Sequence, residues 1–460
     1  MTPTDDAGVA STMADRLRQS SFLQVLLDRR SRRFGLGMSI PAGPLAYQSR
    51  HRPAPLAEEE EAALAFAACG ITGYALGDLC YAQGQGGNIM AGHVGRTIAS
   101  GDALHTVALV VTNDQATYLL KRPRDFAPET LPEIIELGRT GAVLEWYRRS
   151  RVRLKPGRAA PPVEPLFNLD CNRWSLYAPG STYFLPINDL TFMYINGLLE
   201  IFGESTGAFV LDERAGFRPA GLARFARSRG GHLDDDLRRG RVATIRLVEQ
   251  LVTEFVTLEQ GMMLQNLGLM AQALGLGGFP NFANHEFGWF QALGFDMRQM
   301  PASEYLGASR LTAWGMSFLK RNPSVPMPSG LTVDGQTWLK PFCPPHYSSM
   351  TAAVRAVVET KFGPAGIKPQ AGTAWHQPAT VTGQIPVVSD AAISATIAYC
   401  EYVWNRYGRF PAYPAPYRTV LGFQASHLDV EFYNRFYRPE ALGDTQRADS
   451  ARSQQNTPAA

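Results

Sequence analysis

Lysine is nearly missing from this chain: of 44 basic residues only six are Lys, so arginine carries almost all of the positive charge. That bias reflects genome composition more readily than phosphate recognition, and a net charge of +3 argues against a protein built mainly to hold nucleic acid. Cysteine is also sparse. Cys69, Cys80, Cys171, Cys343 and Cys400 are odd in number and form no CxxC pair, which points away from a disulfide framework and from a zinc ribbon and fits a reducing compartment. The first residues, MTPTDDAGVASTMADRLRQ, hold no apolar h-region, so no signal peptide is visible and a cytoplasmic protein is expected. The sequence contains no P-loop, no obvious catalytic triad and no metal-ligand cluster.

Charge is absent altogether from Gly261 to Asn284, but Gln265, Asn266, Gln272 and five glycines argue against a membrane span there. What is present is a long apolar period. From Leu247, LVEQLVTEFVTLEQGMMLQNLGLMAQALGLGGFPNF places apolar residues at helical spacing through Val248, Val252, Phe255, Leu258, Met262 and Leu269. The spacing predicts a helix, amphipathic at first and buried all round later, stopped by Gly275, Gly277, Gly278 and Pro280. Glycines there would let the backbone pass close to a flat ligand.

With 45% apolar and 18% charged residues over 460 positions, the chain has material for one large or two ordinary folded domains. Residues 1–15 and 443–460 are polar, lack an apolar period and are expected to be disordered. A helix from Met13 through Leu17, Phe22, Val25 and Leu26 ends in Arg29, Arg30, Ser31, Arg32 and Arg33, where guanidiniums beside a hydroxyl can hold a phosphate or can simply face water. LAEEEEAALAFAACG reads as a helix with Glu58 to Glu61 at its positive end and Gly70 as its stop, and Thr106 to Thr112 as a buried strand. Arg149, Arg151, Arg153 and Lys155 recur at period two, an exposed basic edge that can also steer an anionic cofactor. STYFLPINDLTFMYINGLLEIFG, from Ser181, reads as a core helix or helix pair.

QNLGLMAQALGLGGFPNF resembles the segment of the nitroreductase superfamily in which a central dimer-interface helix ends against the flavin of FMN. The resemblance implies an α+β nitroreductase-like fold with a middle insertion and a long C-terminal extension. On that reading the core occupies 16–145 and 181–300, with a basic, Pro-rich insertion at 146–180 and a C-terminal extension at 301–442; the aromatic close from Tyr399 reads as a wrapping segment that covers the partner subunit. It also implies Gly277, Phe282 and Ala283 beside the flavin. Arg-Arg-Ser-x-Arg after the first helix is similar to the family's FMN phosphate grip, which implies Arg30 and Ser31 with Arg32 or Arg33. Arg96 to Leu104 resembles a flavin-contacting segment of the thiazoline and oxazoline dehydrogenase branch, which implies Arg96, Ser100, Gly101 and Ala103. The implied protein is a homodimeric FMN oxidoreductase with a small organic or peptide-derived substrate, NADPH or NADH as candidate reductant, and neither nucleic acid nor membrane as partner.

Two other readings stay open. One is a flavin-storing or redox-sensing protein whose extra segments cover the FMN. The other is a flavin-free enzyme using Cys343 with His346, a thiol and imidazole three residues apart in a Pro-rich loop. His232 with Asp234 to Asp236 reads as a solvated loop, and His285 with Glu286 as structural neighbours of an aromatic cluster. His427, Asp429 and Glu431 read as one face of a strand.

Overall fold

The computed structural model describes residues 13, 17–18, 20–76, 80–82, 85–86, 94–162, 170–282, 286–363, 373–384 and 387–455. Helix α1 is Phe22–Asp28 and α2 is Glu58–Cys69; strands β1 (Val107–Thr112), β2 (Ala116–Leu120), β3 (Arg151–Pro156) and β4 (Thr182–Asp189) follow. Then come α3 (Leu190–Ile201), the 30-residue helix α4 (Ile245–Leu274), β5 (Gly277–Phe282) and α5 (Glu286–Leu293). The later part holds β6 (Asp296–Pro301), α6 (Arg310–Phe318), β7 (Ser324–Val333), β8 (Gln336–Leu339), α7 (Met350–Phe362) and α8 (Asp390–Tyr407). It closes with β9 (Tyr417–Arg418), β10 (Leu421–Ser426), α9 (Val430–Phe436) and α10 (Asp444–Gln455).

The main sheet runs β5-β10-β4-β1-β2-β3, antiparallel throughout, with β9 also paired to β4. Strand β1 is buried at every position, as expected from its apolar run. Because side chains alternate across a strand, Val107, Leu109 and Val111 join Phe184, Phe423 and Ala425 on one face, against Leu267 and Ala271 of α4 and the alanines of α2. Ala108, Val110, Tyr183, Leu185 and Ile187 meet Trp289 and Phe290 of α5 on the other face. A third cluster joins α3 and the start of α4 to α7 and α8. Each fully buried Leu or Phe in these layers contributes about 1.5–3 kcal/mol.

The segment from Ser181, expected to be helical, is half strand. Its β-branched and aromatic start suits β4, and the Asp189 carboxylate then accepts the Thr191 and Phe192 amides at 3.0 and 3.4 Å to begin α3. Pro186 is tolerated in a central strand because the pairing to β10 ends at Phe184 and that to β9 begins at Asn188, so its missing N–H falls in the gap.

Two further expectations change. The Gly-rich stop after α4 is more than a turn: Gly275 at φ +85° ends the helix, and Gly277–Phe282 continues as an edge strand. The C-terminal extension is part of this chain's own core, because β10 lies between β5 and β4 after an excursion over residues 283–416. Residues 444–455 likewise form α10 where a disordered tail was expected. Periodicity gives no sign of that helix, which is held by polar contacts: His427 Nδ1 lies 2.9 Å from Asp449 and its Nε2 3.3 Å from Glu60. Arg452 adds a contact to Asp449 at 3.2 Å. Each ring nitrogen faces a different carboxylate, the arrangement of an imidazolium between two acids.

Among the described residues no helix is long and apolar enough to cross a membrane.

Burial alone would discharge His427, but the hydrogen bonds to Asp449 and Glu60 outweigh it and hold the imidazolium up to about 10. Against an unfolded value near 6.5, this raised value contributes stability that is fully present below pH 6.5 or so and is lost as pH rises through about 10. Unfolding titrations should therefore show stability falling across that window with a slope approaching about 1.4 kcal/mol per pH unit. His427→Gln should flatten the slope; an unchanged slope would contradict the imidazolium assignment.

Candidate functional site

A cleft of about 230 Å³ opens between α4, the sheet edge and the segment that follows α1. On α4 it is lined by Gly261, Gln265, Gly268 and Gln272, spaced four, three and four residues apart and so on one helix face. Gly278 and Pro280 of β5 and Leu421 and Phe423 of β10 form the opposite wall. Arg29, Arg30 and Ser31 close one end. A Cβ on Gly278 would stand 2.7 Å from Cε1 of Phe423 and 3.3 Å from Cβ of Ala271, so only glycine lets the strand sit this close. At Gly261 nothing lies within 4 Å of an added Cβ, so that part of the helix is open.

The basic run after α1 divides into two halves. Arg30 is exposed, with one guanidinium nitrogen donating to the carbonyls of Leu27 and Arg29 at 3.1 and 2.9 Å, and Ser31 is exposed beside it. Arg32 turns inward: its backbone bridges to Gly278, and its guanidinium donates to the Ala441 carbonyl at 2.7 Å and to Oε1 of Gln272 at 2.8 Å. Arg33 donates to Asn172 and Ser175, both at 2.8 Å, and lies 4.5 Å from the Phe279 ring centre. Burial pushes both guanidiniums below their ordinary value. The structure thus places Arg29, Arg30 and Ser31 at the cleft and uses Arg32 and Arg33 to fasten the segment to the sheet.

The other sequence-derived residues lie elsewhere. Arg96 donates to the carbonyls of Cys69 and Val107 at 2.9 and 3.0 Å, joining the end of α2 to β1. The Ser100 hydroxyl donates to the Glu259 carboxylate, which also accepts from Thr106 at 2.8 Å and Asn188 at 3.2 Å. Burial raises the Glu259 carboxyl above its usual range while those hydroxyl donors pull it back. Gly101 and Ala103 form the short turn beside Ser100, with Ala103 at φ +50°. This group packs on a buried side of α4, away from the face that lines the cleft. Gly277 begins β5 next to the cleft, Phe282 ends it, and Ala283 and His285 lie outside the described residues.

Two features of the cleft escaped sequence reasoning. Gly261, Gln265, Gly268 and Gln272 were legible in principle as a small and polar stripe on an otherwise apolar helix. The approach of β10, contributed from 140 residues farther along the chain, carried no local signal. The thiol alternative fares poorly: burial pushes the Cys343 thiol well above its ordinary value, and the His346 ring is turned to the Ser329 carbonyl at 2.5 Å. His232 reaches the Phe202 carbonyl at 2.9 Å, and Asp234 is buried and pairs with Arg227 at 3.1 Å, so the loop read as solvated is fastened to the core at these two residues.

Beside the cleft, α4 presents Leu247, Leu251, Phe255, Leu258 and Met262 to solvent, each between 39% and 58% exposed. Their spacing of four, four, three and four residues makes one apolar stripe adjoining the Gly261 to Gln272 face. Helix α1 adds Phe22, Leu23, Leu26 and Leu27, also exposed.

No family model matches the chain, and no curated protein matches it. Among solved structures it is similar to a Ralstonia eutropha JMP134 protein described as a "putative nitroreductase", at 11% identity over 60% of this chain and 77% of that one, with a TM-score of 0.30.

Proposed function

We propose that the chain is an FMN-dependent oxidoreductase of the nitroreductase type, acting as a homodimer on a small organic or peptide-derived substrate. The observation that carries this reading is the convergence on one cleft of Arg29, Arg30 and Ser31 with the glycine-bearing face of α4 and the start of β5. Two guanidiniums and a hydroxyl suit a phosphate monoester, which accepts several charge-assisted hydrogen bonds in a small volume. Amide side chains at Gln265 and Gln272 and the apolar wall at Leu421 and Phe423 suit a flat, partly polar ring.

In this reading Arg30 and Ser31 hold the phosphate, and Arg32 and Arg33 keep that segment fixed to β5 and to the loop at Asn172. When bound, the flavin supplies hydride transfer, and a nicotinamide is the candidate reductant. The protein's own share is to bind, orient and exclude water. No acid–base triad is then required, which fits a cleft lined by amides and glycines.

The cleft is smaller than the roughly 300–1,000 Å³ of a complete small-ligand pocket. A second copy laid along the apolar stripe of α4 would supply the missing wall and would cover Leu251, Phe255 and Leu258. That is the support for a homodimer.

Purified protein should carry, or take up on reconstitution, one FMN per chain with its visible absorption band. Arg30→Ala with Ser31→Ala should weaken FMN binding by about tenfold to a hundredfold, the cost of one or two charge-assisted bonds. A colourless protein that fails to reconstitute would overturn the reading. Leu251→Glu with Leu258→Glu should convert a dimeric mass to a monomeric one in light scattering; a dimer that persists places the interface elsewhere.

A further inference from the structure

Helix α6 presents a second apolar face that neither the cleft nor the α4 stripe uses. Leu311, Trp314 and Phe318 are 77%, 66% and 74% exposed and recur at i, i+3 and i+7, so they share one side of the helix. The rings of Trp314 and Phe318 stack on each other with centroids 5.6 Å apart. Leu319, directly after the helix, and Leu306, four residues before it, are exposed as well. Only Ala313, Gly315 and Met316 turn partly inward, and no residue of the helix is buried. Stacked aromatics held in water over a whole helix face mark a surface that meets something.

Charge indicates what it meets. From Leu306 to Val333 the chain has three basic residues, Arg310, Lys320 and Arg321, and no acidic one. All three are exposed, one before the apolar face and two directly after it. The nearby Glu304 is already 3.6 Å from Arg298. A two-fold pairing of this face with a second copy would set these cations against their own images with no acid in the segment to neutralise them. A basic protein partner is disfavoured for the same reason. Trp, Phe and Leu on one side with Lys and Arg at the rim is the composition of a helix that lies in a membrane interface, with rings at headgroup depth and cations at lipid phosphates.

We propose that the outer face of α6 docks this protein onto an anionic lipid surface. The docking is peripheral: the nine residues of α6 immerse one side and cross nothing. It departs from the sequence-based expectation of no membrane partner, an expectation drawn from the lack of a spanning segment. It does not depend on the FMN reading, since α6 lies outside the cleft.

The test is co-sedimentation of the full chain with phosphatidylcholine vesicles, with and without phosphatidylglycerol. The chain should pellet with the anionic vesicles only, and salt should release it. Lys320→Gln with Arg321→Gln should lower the partition about thirtyfold. Trp314→Ser with Phe318→Ser should abolish it at unchanged helicity by circular dichroism; if that variant fails to fold, the charge variant decides alone. Protein that stays in the supernatant with anionic vesicles, or that pellets equally with both kinds, overturns the proposal. So does a Trp314→Ser, Phe318→Ser variant that changes the mass in light scattering and leaves vesicle binding intact, because the face would then belong to a second copy.

Discussion

The contact between Gly278 and Phe423 sets the geometry on which the rest of the site depends. With no Cβ at Gly278, the Phe423 ring lies against the strand backbone and reaches toward α4, where a Cβ on Gly268 would be 3.9 Å away. Strand, ring and helix are thereby held at a spacing that leaves a cleft beside them. Arg32 completes the clamp by bridging to Gly278 and donating to Gln272, so the exposed Arg30 and Ser31 are carried on a segment fastened to the sheet and to α4. Packing density makes this a constraint rather than a preference, because a methyl group at Gly278 has nowhere to go.

Much of this was legible in the sequence where the signal is local. The extent of α4, the apolar run of β1, and the acidic start and Gly70 stop of α2 each depend on neighbours within a few residues, and each stands at its expected place; the burial expected along α4 does not, because Phe255, Leu258 and Met262 of its apolar period face solvent and its second half is not buried all round. What was not legible depends on partners far along the chain. Strand β10 is a short mixed stretch, LGFQAS, with no local strand signal until β5 and β4 accept it on either side. Helix α10 has no apolar period, and its place rests on Asp449 meeting His427. The arginine run shows the same limit in miniature: four guanidiniums look alike in sequence, and only the bridge at Arg32 and the stacking of Arg33 on Phe279 separate the structural pair from the exposed one. The group around Ser100 resembled a ligand contact because Ser and Gly in a turn suit one, yet the hydroxyl satisfies the buried Glu259.

Helix α4 carries three kinds of surface along one length: a buried side against the sheet, a small and polar side at the cleft, and an apolar side open to solvent. Cleft and open side adjoin, so whatever covers the stripe also shapes the cleft. In the proposed homodimer the cofactor cleft and the subunit interface would share this helix. The apolar face of α6 is separate, rimmed by cations rather than by glycine and glutamine.

The central claim is that the Arg29 to Ser31 end of the cleft recognises a phosphate borne by a flat ring. Calorimetric titration of the full chain with FMN and with riboflavin tests it most directly, since the two differ only in that phosphate. Binding of FMN at least about tenfold tighter than riboflavin, with the difference erased in Arg30→Ala, Ser31→Ala protein, is the result this account predicts. Equal affinities for the two, or no binding of either, would contradict it.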